Sequence, residues 1–251
     1  MTDNHAVRLE IPPVFEVVHL DSGEAVLDAT VALARQGATE GTLVWASRQP
    51  DTTTRPGRSW YSPDQGLYLG LVLEPDFAPE RAGEIGLIAL VAMGLALAEE
   101  VVAMTDLRYR WPNDILLSGS KVGGLWLKRD IEAGWLVLGM SVNVGAEPEQ
   151  AFGAGCVQIE GGNADVSPQL LLQGFARQFL SWLNTWAEEG LEPILRQFRM
   201  RHDGPGASWL LQTHNGESVA GVLSDFDQHG SIHIDLDGQR RSISLNEFFG
   251  L

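Results

Sequence analysis

Lys121 and the turn ahead of it are the residues best suited to chemistry in this chain. Asn113 and Asp114 follow Trp111-Pro112, and seven residues after Asp114 comes Lys121, followed by Gly123-Gly124. The chain has 17 basic residues, of which only Lys121 and Lys128 are lysines, so arginine is its default cation. A lysine at this place is therefore a choice. Its compact ammonium on a flexible stem suits contact with a carboxylate and a phosphate oxygen together, where a guanidinium would impose a planar fork. Gly123 and Gly124 remove two Cβ atoms and let a ligand approach the main chain closely. The pattern reads as a phosphate-handling site.

The charge distribution points the same way. The net charge is −16, which argues against a nucleic-acid surface. Within that acidic chain, Arg48, Arg55 and Arg58 sit against Asp51 alone, and Arg108, Arg110, Lys121, Lys128 and Arg129 sit against Asp114 alone. Positive islands of this kind suit a focused site for a small anion, or else each arginine simply pairs with a surface carboxylate.

The elements that position these residues follow from periodicity. WPNDILLSGSKVGGLWL reads as a β-hairpin turning at Ser-Gly-Ser. Residues 25–36 have helical spacing stopped by Gly37, 42–47 form a strand, and Arg48 to Ser59 is a polar loop long enough to suggest a function. Strand 66–74 precedes a helix at 84–104 that is apolar on most faces and so belongs in a core. Strand 134–145 ends at a polar Asn143, and a helix begins from Val166 with Ser167 as cap and Pro168 in its first turn, ended by Glu188 to Gly190. HDGPG at 202–206 reads as a linker. Residues 207–251 read as short strands of a small β unit, with a hairpin turn at Asp237-Gly238 and no chemistry assigned to His229 or His233.

At 251 residues the chain can bury a substantial core. Its most apolar run, Ile85 to Ala98, falls short of the ~20 residues of a membrane span. The N-terminus lacks the pattern of a signal peptide, and the single Cys156 provides neither an intrachain disulfide nor a metal cluster. The expectation is a cytoplasmic protein with no nucleic-acid and no membrane partner.

In this order the segments resemble the biotin protein ligase family, within the wider biotin/lipoate ligase superfamily, over nearly the whole chain. RWPNDILLSGSKVGGLWL is similar to the family's Lys-Trp-Pro-Asn-Asp and Lys-(Leu/Val)-x-Gly-Ile-Leu signature. Asp21-Ser22-Gly23-Glu24 stands where the family has Asp-Ser-Thr-Asn. Gly57-Arg58-Ser59-Trp60-Tyr61-Ser62-Pro63 matches Gly-Arg-x-Trp-x-Ser-Pro, and Gly139-Met140-Ser141-Val142-Asn143 stands at the Gly-x-Gly-x-Asn strand. The resemblance implies an α+β fold: a mixed sheet with flanking helices, of the class II aminoacyl-tRNA synthetase/biotin synthetase type, then a small C-terminal SH3-like β-barrel. The domains would be a catalytic one at 1–203 and a β domain at 204–251, with no helix-turn-helix ahead of them.

The implied activity is ligation in two steps. A carboxylic acid, biotin in the family, is activated by Mg-ATP as an acyl-adenylate, then passed to a lysine of a biotin carboxyl carrier-type acceptor protein. Lys121, Arg55 and Arg58 would neutralise the two approaching anions. Asp114 would hold Mg²⁺ or orient the incoming amine, and Asn143 would bind ribose or phosphate. Ser22 and Gln49 would bond the acid's polar head. Trp60 would exclude water, with Gly23, Gly57, Asn113, Gly123 and Gly124 completing the binding set.

The chain departs from the family at the loop Thr52-Thr53-Thr54-Arg55-Pro56-Gly57, where the family has Gly-Arg-Gly-Arg-Arg-Gly. One arginine remains of three, and the segment is stiffer and less positive. Two alternatives stay open: a lipoate or octanoate protein ligase or transferase, and a non-catalytic protein that binds a biotin-like acid or a carrier domain.

Overall fold

A computed structural model of the chain describes residues 9–21, 23–55, 58–148, 151–204, 206 and 208–251. The side chains of Thr54, Arg55, Arg58, Ser59 and Leu236 lie outside that description.

The first elements are β1 (Glu16–His19), α1 (Val26–Arg35), β2 (Thr42–Ala46), β3 (Thr52–Arg55), β4 (Arg58–Trp60) and β5 (Leu67–Leu73). They are followed by α2 (Glu84–Glu100), β6 (Leu107–Arg110), β7 (Asp114–Leu117), β8 (Ser120–Asp130) and β9 (Trp135–Val142). Seven of the strands form one mixed sheet in the order β1-β2-β5-β9-β8-β7-β6, in which β1 and β2 run parallel and the other neighbours antiparallel. The stretch expected to be an open loop, 48–59, contains the β3–β4 hairpin. Three consecutive threonines explain it, because β-branched side chains favour extended backbone.

Both faces of the sheet are covered, which is why LYLGLVL in β5 is apolar without interruption. Helix α1 covers one face: Val31 and Ala34 pack on Val72 and Val137, and Val26 packs on Val44, Ala46 and Tyr68. Glycines at Gly70 and Gly139 allow this approach, since a Cβ at either would lie within 3 Å of Thr30 or Leu27. The opposite face carries the main core, where Leu43, Leu69, Leu71, Leu138 and Val142 meet α2, α4 (Pro168–Glu189) and α5 (Glu192–Arg201). A one-turn α3 (Val157–Glu160) precedes α4.

Thirteen of the 17 residues of α2 are buried, as its all-round apolarity requires. Taken with the 3-10 turn before it, Pro79–Glu100 is in fact long and apolar enough by composition to cross a membrane. Its most apolar window is 83% buried among the protein's own helices and sheet, so the apolarity is that of a core helix. The helix stops at Glu100 rather than 104 because Val101 turns extended and bridges to Gly162. Ser167 caps α4 as expected, accepting from Leu170 N at 3.3 Å.

The remaining residues form a four-stranded antiparallel sheet, β10 (Ser208–Gln212), β11 (Ser218–Phe226), β12 (Ile232–Leu236) and β13 (Gln239–Ile243), closed by a short α6 (Leu245–Phe249). Asp237-Gly238 makes the β12–β13 turn with φ of 49° and 78°, the left-handed pair a two-residue hairpin loop needs. This sheet is docked rather than tethered. Phe248 and Phe249 of α6 pack edge-on against Trp111 and Trp126, and Asn246 bonds Gly83 N and Pro79 O. Trp111, 2% exposed, donates its indole N–H to Gly230 O in the β11–β12 turn at 2.8 Å.

The expected linker is also anchored. His202 is buried, ladders with Tyr109 and packs among Phe198, Trp209 and Phe226, and Asp203 N bonds Tyr109 O at 2.7 Å. Burial lowers the imidazole pKa to about 4, opposed by Asp203 and aided by Arg110. Its Nε2 has no partner among the described residues, consistent with a neutral ring.

Two outcomes follow. Trp111→Phe loses the indole bond and leaves Gly230 O unpaired, so it should lower stability by about 1–3 kcal/mol in urea unfolding; no change would show that this contact does not hold the two sheets together. Unfolded His202 binds its proton near pH 6.5 and folded His202 only near 4. Stability is therefore intact above pH 6.5 and falls as pH drops toward 4, by about 2–3 kcal/mol in all. His202→Phe should flatten this dependence of the melting temperature, and an equally steep fall in the variant would rule the residue out.

Candidate active site

The β7–β8 hairpin builds the centre of the site. Its loop, Ser118-Gly119, has both residues at positive φ, 50° and 88°, and pairs Leu117 with Ser120. Farther along, Ile115 faces Gly123 while Leu116 faces Lys121, so Val122 is an extra residue on β8. Such a bulge re-aims the side chains on either side of it. Val122 enters the core, and Lys121 joins Gly124, Trp126 and Lys128 on the opposite, cleft-facing side.

Lys121 Nζ lies 2.6 Å from Asp114 Oδ1 and 5.1 Å from the centre of the Trp60 ring. The lysine and aspartate side chains are 33% and 21% exposed. Gly124 permits the arrangement, because a Cβ there would meet Trp60 Cζ3 at 3.2 Å and Asp114 Oδ1 at 3.4 Å. The pairing registers place Tyr68, Ser141, Gly124, Asp114 and Arg110 in one row across β5, β9, β8, β7 and β6.

From Ser141 to Arg110 this row floors a cleft of about 750 Å³. Its walls are the start of α1 (Ala25 to Asp28), Thr52, Thr53 and Trp60 of the β3–β4 hairpin, Phe152-Gly153, and residues 208–212 of β10 with Phe248. The second sheet thus closes one side of the site. The first turn of α1 presents its positive dipole end to the cleft. Such a volume suits a ligand of drug size or somewhat larger.

Three expected site residues prove to hold the fold locally. Asn113 is buried, donates to Leu125 O at 3.0 Å and accepts from Leu125 N through its own carbonyl, clamping the turn to β8. Gln49 accepts from Val26 N, supplying the cap that Ala25 cannot, and donates to Ser62 Oγ, both at 3.0 Å. It also lines the cleft. Asn143 is buried away from the cleft surface, donating to Gly155 O while its Oδ1 has no partner among the described residues. Gly123 lies on β8 against the Ser141 carbonyl, and Gly23 has a φ of 104°. Ser22, Gly57 and the side chains of Arg55 and Arg58 lie outside the described residues.

The positive islands resolve mostly into ion pairs: Arg48 with Asp64, Arg108 with Asp106, Arg110 with Asp203 and Lys128 with Asp28. Of these cations Arg110 and Lys128 line the cleft together with Lys121. Lys128 was absent from the expected site set, although its being the second of two lysines was a usable signal. Ser141 was missed as well, and the alternation of Gly139 and Ser141 on one face of β9 would have exposed it.

Residues 11–200 match the model of the biotin/lipoate A/B protein ligase family. The bifunctional ligase/repressor BirA of Bacillus subtilis is 33% identical over 208 residues, 78% of this chain and 62% of that protein. The chain therefore spans under two thirds of that relative's length. The biotin–[acetyl-CoA-carboxylase] ligase of Paracoccus denitrificans is 29% identical over 78% of this chain and 85% of its own. Among solved structures, a biotin protein ligase-like protein of unknown function from Silicibacter superposes with a TM-score of 0.76 at 22% identity, covering 94% of this chain and 97% of the other. The Aquifex aeolicus biotin protein ligase in complex with biotin and ATP gives 0.71 at 21% identity, covering 93% and 97%. At these identities the structures establish the shared α+β architecture, a mixed sheet with flanking helices.

The clamp at Asn113 predicts a stability effect. Asn113→Ala leaves Leu125 O without its donor and should cost about 1–3 kcal/mol in chemical unfolding. Unaltered stability would return Asn113 to the list of residues kept only for a ligand.

Proposed function

The chain belongs to the biotin/lipoate A/B protein ligase family, and we propose that it activates biotin or a related carboxylic acid with ATP as an acyl-adenylate and transfers it to a lysine of a carboxyl-carrier acceptor protein. The observation that carries this reading is the Lys121–Asp114 pair at 2.6 Å on the floor of a large cleft. An ammonium beside a carboxylate can meet both a phosphate oxygen and an incoming amine, which binding an acid alone does not require.

On this reading the acid lies along the row from Ser141 toward Asp114, its carboxylate near Lys121. Two anions must meet for the first step, and their repulsion is the barrier that a partly buried ammonium reduces most. A carboxylate oxygen attacks the α-phosphorus, the bond to the β-phosphate breaks, and pyrophosphate leaves. Lys121 exchanges part of its contact with Asp114 for the developing charge on the α-phosphate. Asp114 is then free to orient the acceptor's amine. That amine attacks the acyl carbon, loses its proton and expels AMP. Trp60, packed on Gly124, shields the mixed anhydride from water.

Magnesium fits this site only as part of the nucleotide. Among the described residues no three His, Cys, Asp or Glu converge as a metal site, and Asp114 is engaged by Lys121. The ion would arrive with the triphosphate and neutralise part of its charge, and Asp114 is the residue of the cleft floor that would hold it. Arg55, Arg58, Ser22 and Gly57 complete the proposed nucleotide and acid contacts on the strength of their matching motif positions. We further propose that residues 1–203 act as the catalytic domain and 204–251 as an SH3-like β domain that walls the cleft.

The test is acid-dependent pyrophosphate exchange with biotin, lipoate and octanoate as a panel. Wild type should exchange with at least one acid, and Lys121→Gln should lose about 10²–10³-fold in rate with an unchanged melting temperature. Exchange in the variant at the wild-type rate would sink the assignment of Lys121. Binding of an acid without any exchange would favour a non-catalytic binder.

A further inference from the structure

The cleft floor holds one polar side chain that the protein itself leaves unused. Strand β9 alternates Leu138, Met140 and Val142 into the main core with Val137, Gly139 and Ser141 on the α1 side. Ser141 pairs directly with Gly124 on β8 and with Tyr68 on β5. Among the described residues its hydroxyl makes no hydrogen bond, although it lines the cleft.

Tyr68, Gln49 and Asn113 around it are committed, while the Trp60 indole N–H on the wall has no partner among the described residues. Tyr68 donates to Pro63 O at 2.6 Å, and burial raises its pKa, so it stays a neutral phenol with its proton in use. Both polar atoms of Gln49 are bonded within the protein, to α1 and to Ser62. The Asn113 amide is spent on Leu125. On the floor itself, glycine occupies the positions beside and two residues before Ser141, so nothing from Gly124 or Gly139 covers its hydroxyl.

The row also supplies a distance. Ser141 and Asp114 are separated by one intervening strand, β8, which at normal strand spacing puts them roughly 10 Å apart. An acid whose carboxylate is held at Lys121 and whose body runs along this row would bring its far part against Ser141. A saturated chain would leave that hydroxyl with no partner, whereas a ring bearing an amide-like N–H or carbonyl would meet it.

We propose that Ser141 is a specificity-determining residue whose hydroxyl bonds a polar group on the body of the acid, selecting acids that carry a hydrogen-bonding ring over saturated acyl chains. This rests on the functional reading above and names the substrate class within it. The experiment compares apparent KM values for biotin and octanoate in pyrophosphate exchange at saturating ATP, in wild type and S141A, with melting temperature as the folding control. S141A should raise the KM for biotin about tenfold and that for octanoate less than twofold. An equal change for both acids, or for neither, overturns the proposal. Wild-type protein that exchanges with none of biotin, lipoate and octanoate refutes the functional reading separately. Calorimetric binding of the two acids without ATP then decides for Ser141: a tenfold loss confined to biotin supports the role, while equal affinities in wild type and S141A, or no binding of biotin to wild type, overturn it.

Discussion

The site depends on a single extra residue in a β-ladder. Without Val122 as a bulge, strict alternation would send Lys121 to the core side of β8, where α2 and the main cluster pack, and an ammonium there would face no partner. With the bulge, Lys121 emerges on the same side as Gly124, within 2.6 Å of Asp114 on the neighbouring strand. Everything else in the cleft is arranged around that emergence. Gly124 keeps space for Trp60, Trp60 lies against the ammonium, and Asn113 clamps the turn from which Asp114 projects.

The second sheet belongs to this arrangement rather than beside it. Trp111 stands immediately before the Pro-Asn-Asp turn, and it spends its indole on Gly230 and its ring on Phe248. One four-residue segment thus bonds the small sheet at one end and positions the acid–lysine pair at the other. Strain or displacement of the docked sheet would reach Asp114 through three residues of chain. The buried, neutral His202 guards the same junction from the α5 side, where Arg110 and Asp203 form an ion pair on the cleft rim.

Much of this was legible in the sequence because it rests on local chemistry. The hairpin turns at Ser118-Gly119 and Asp237-Gly238, the Ser167 cap, the buried α2 and the importance of the Lys121 segment all follow from residue types at short spacing. The β3–β4 hairpin and α5 were less legible. The first lies in a polar segment without apolar alternation, and the second is a ten-residue helix whose order comes from burying Ile194, Leu195 and Phe198. Asn113 and Gln49 read from sequence as ligand-binding residues, and the backbone partners they also hold were not legible, because an amide side chain serves backbone and ligand equally well.

What the sequence determined by itself was the inventory: a lysine chosen over arginine, a carboxylate seven residues earlier, glycines where a chain must approach closely, and strands long enough to make a sheet buried on both faces. Tertiary structure decided which of these meet. Register across β5, β9, β8 and β7 brought Tyr68, Ser141, Gly124 and Asp114 into one row although they are spread over more than seventy residues of chain. Docking of the second sheet decided that Trp111 would bond Gly230 and pack against Phe248. The physical reason is that spacing along a strand is set by local geometry, whereas pairing between strands is selected by which faces the whole fold can bury.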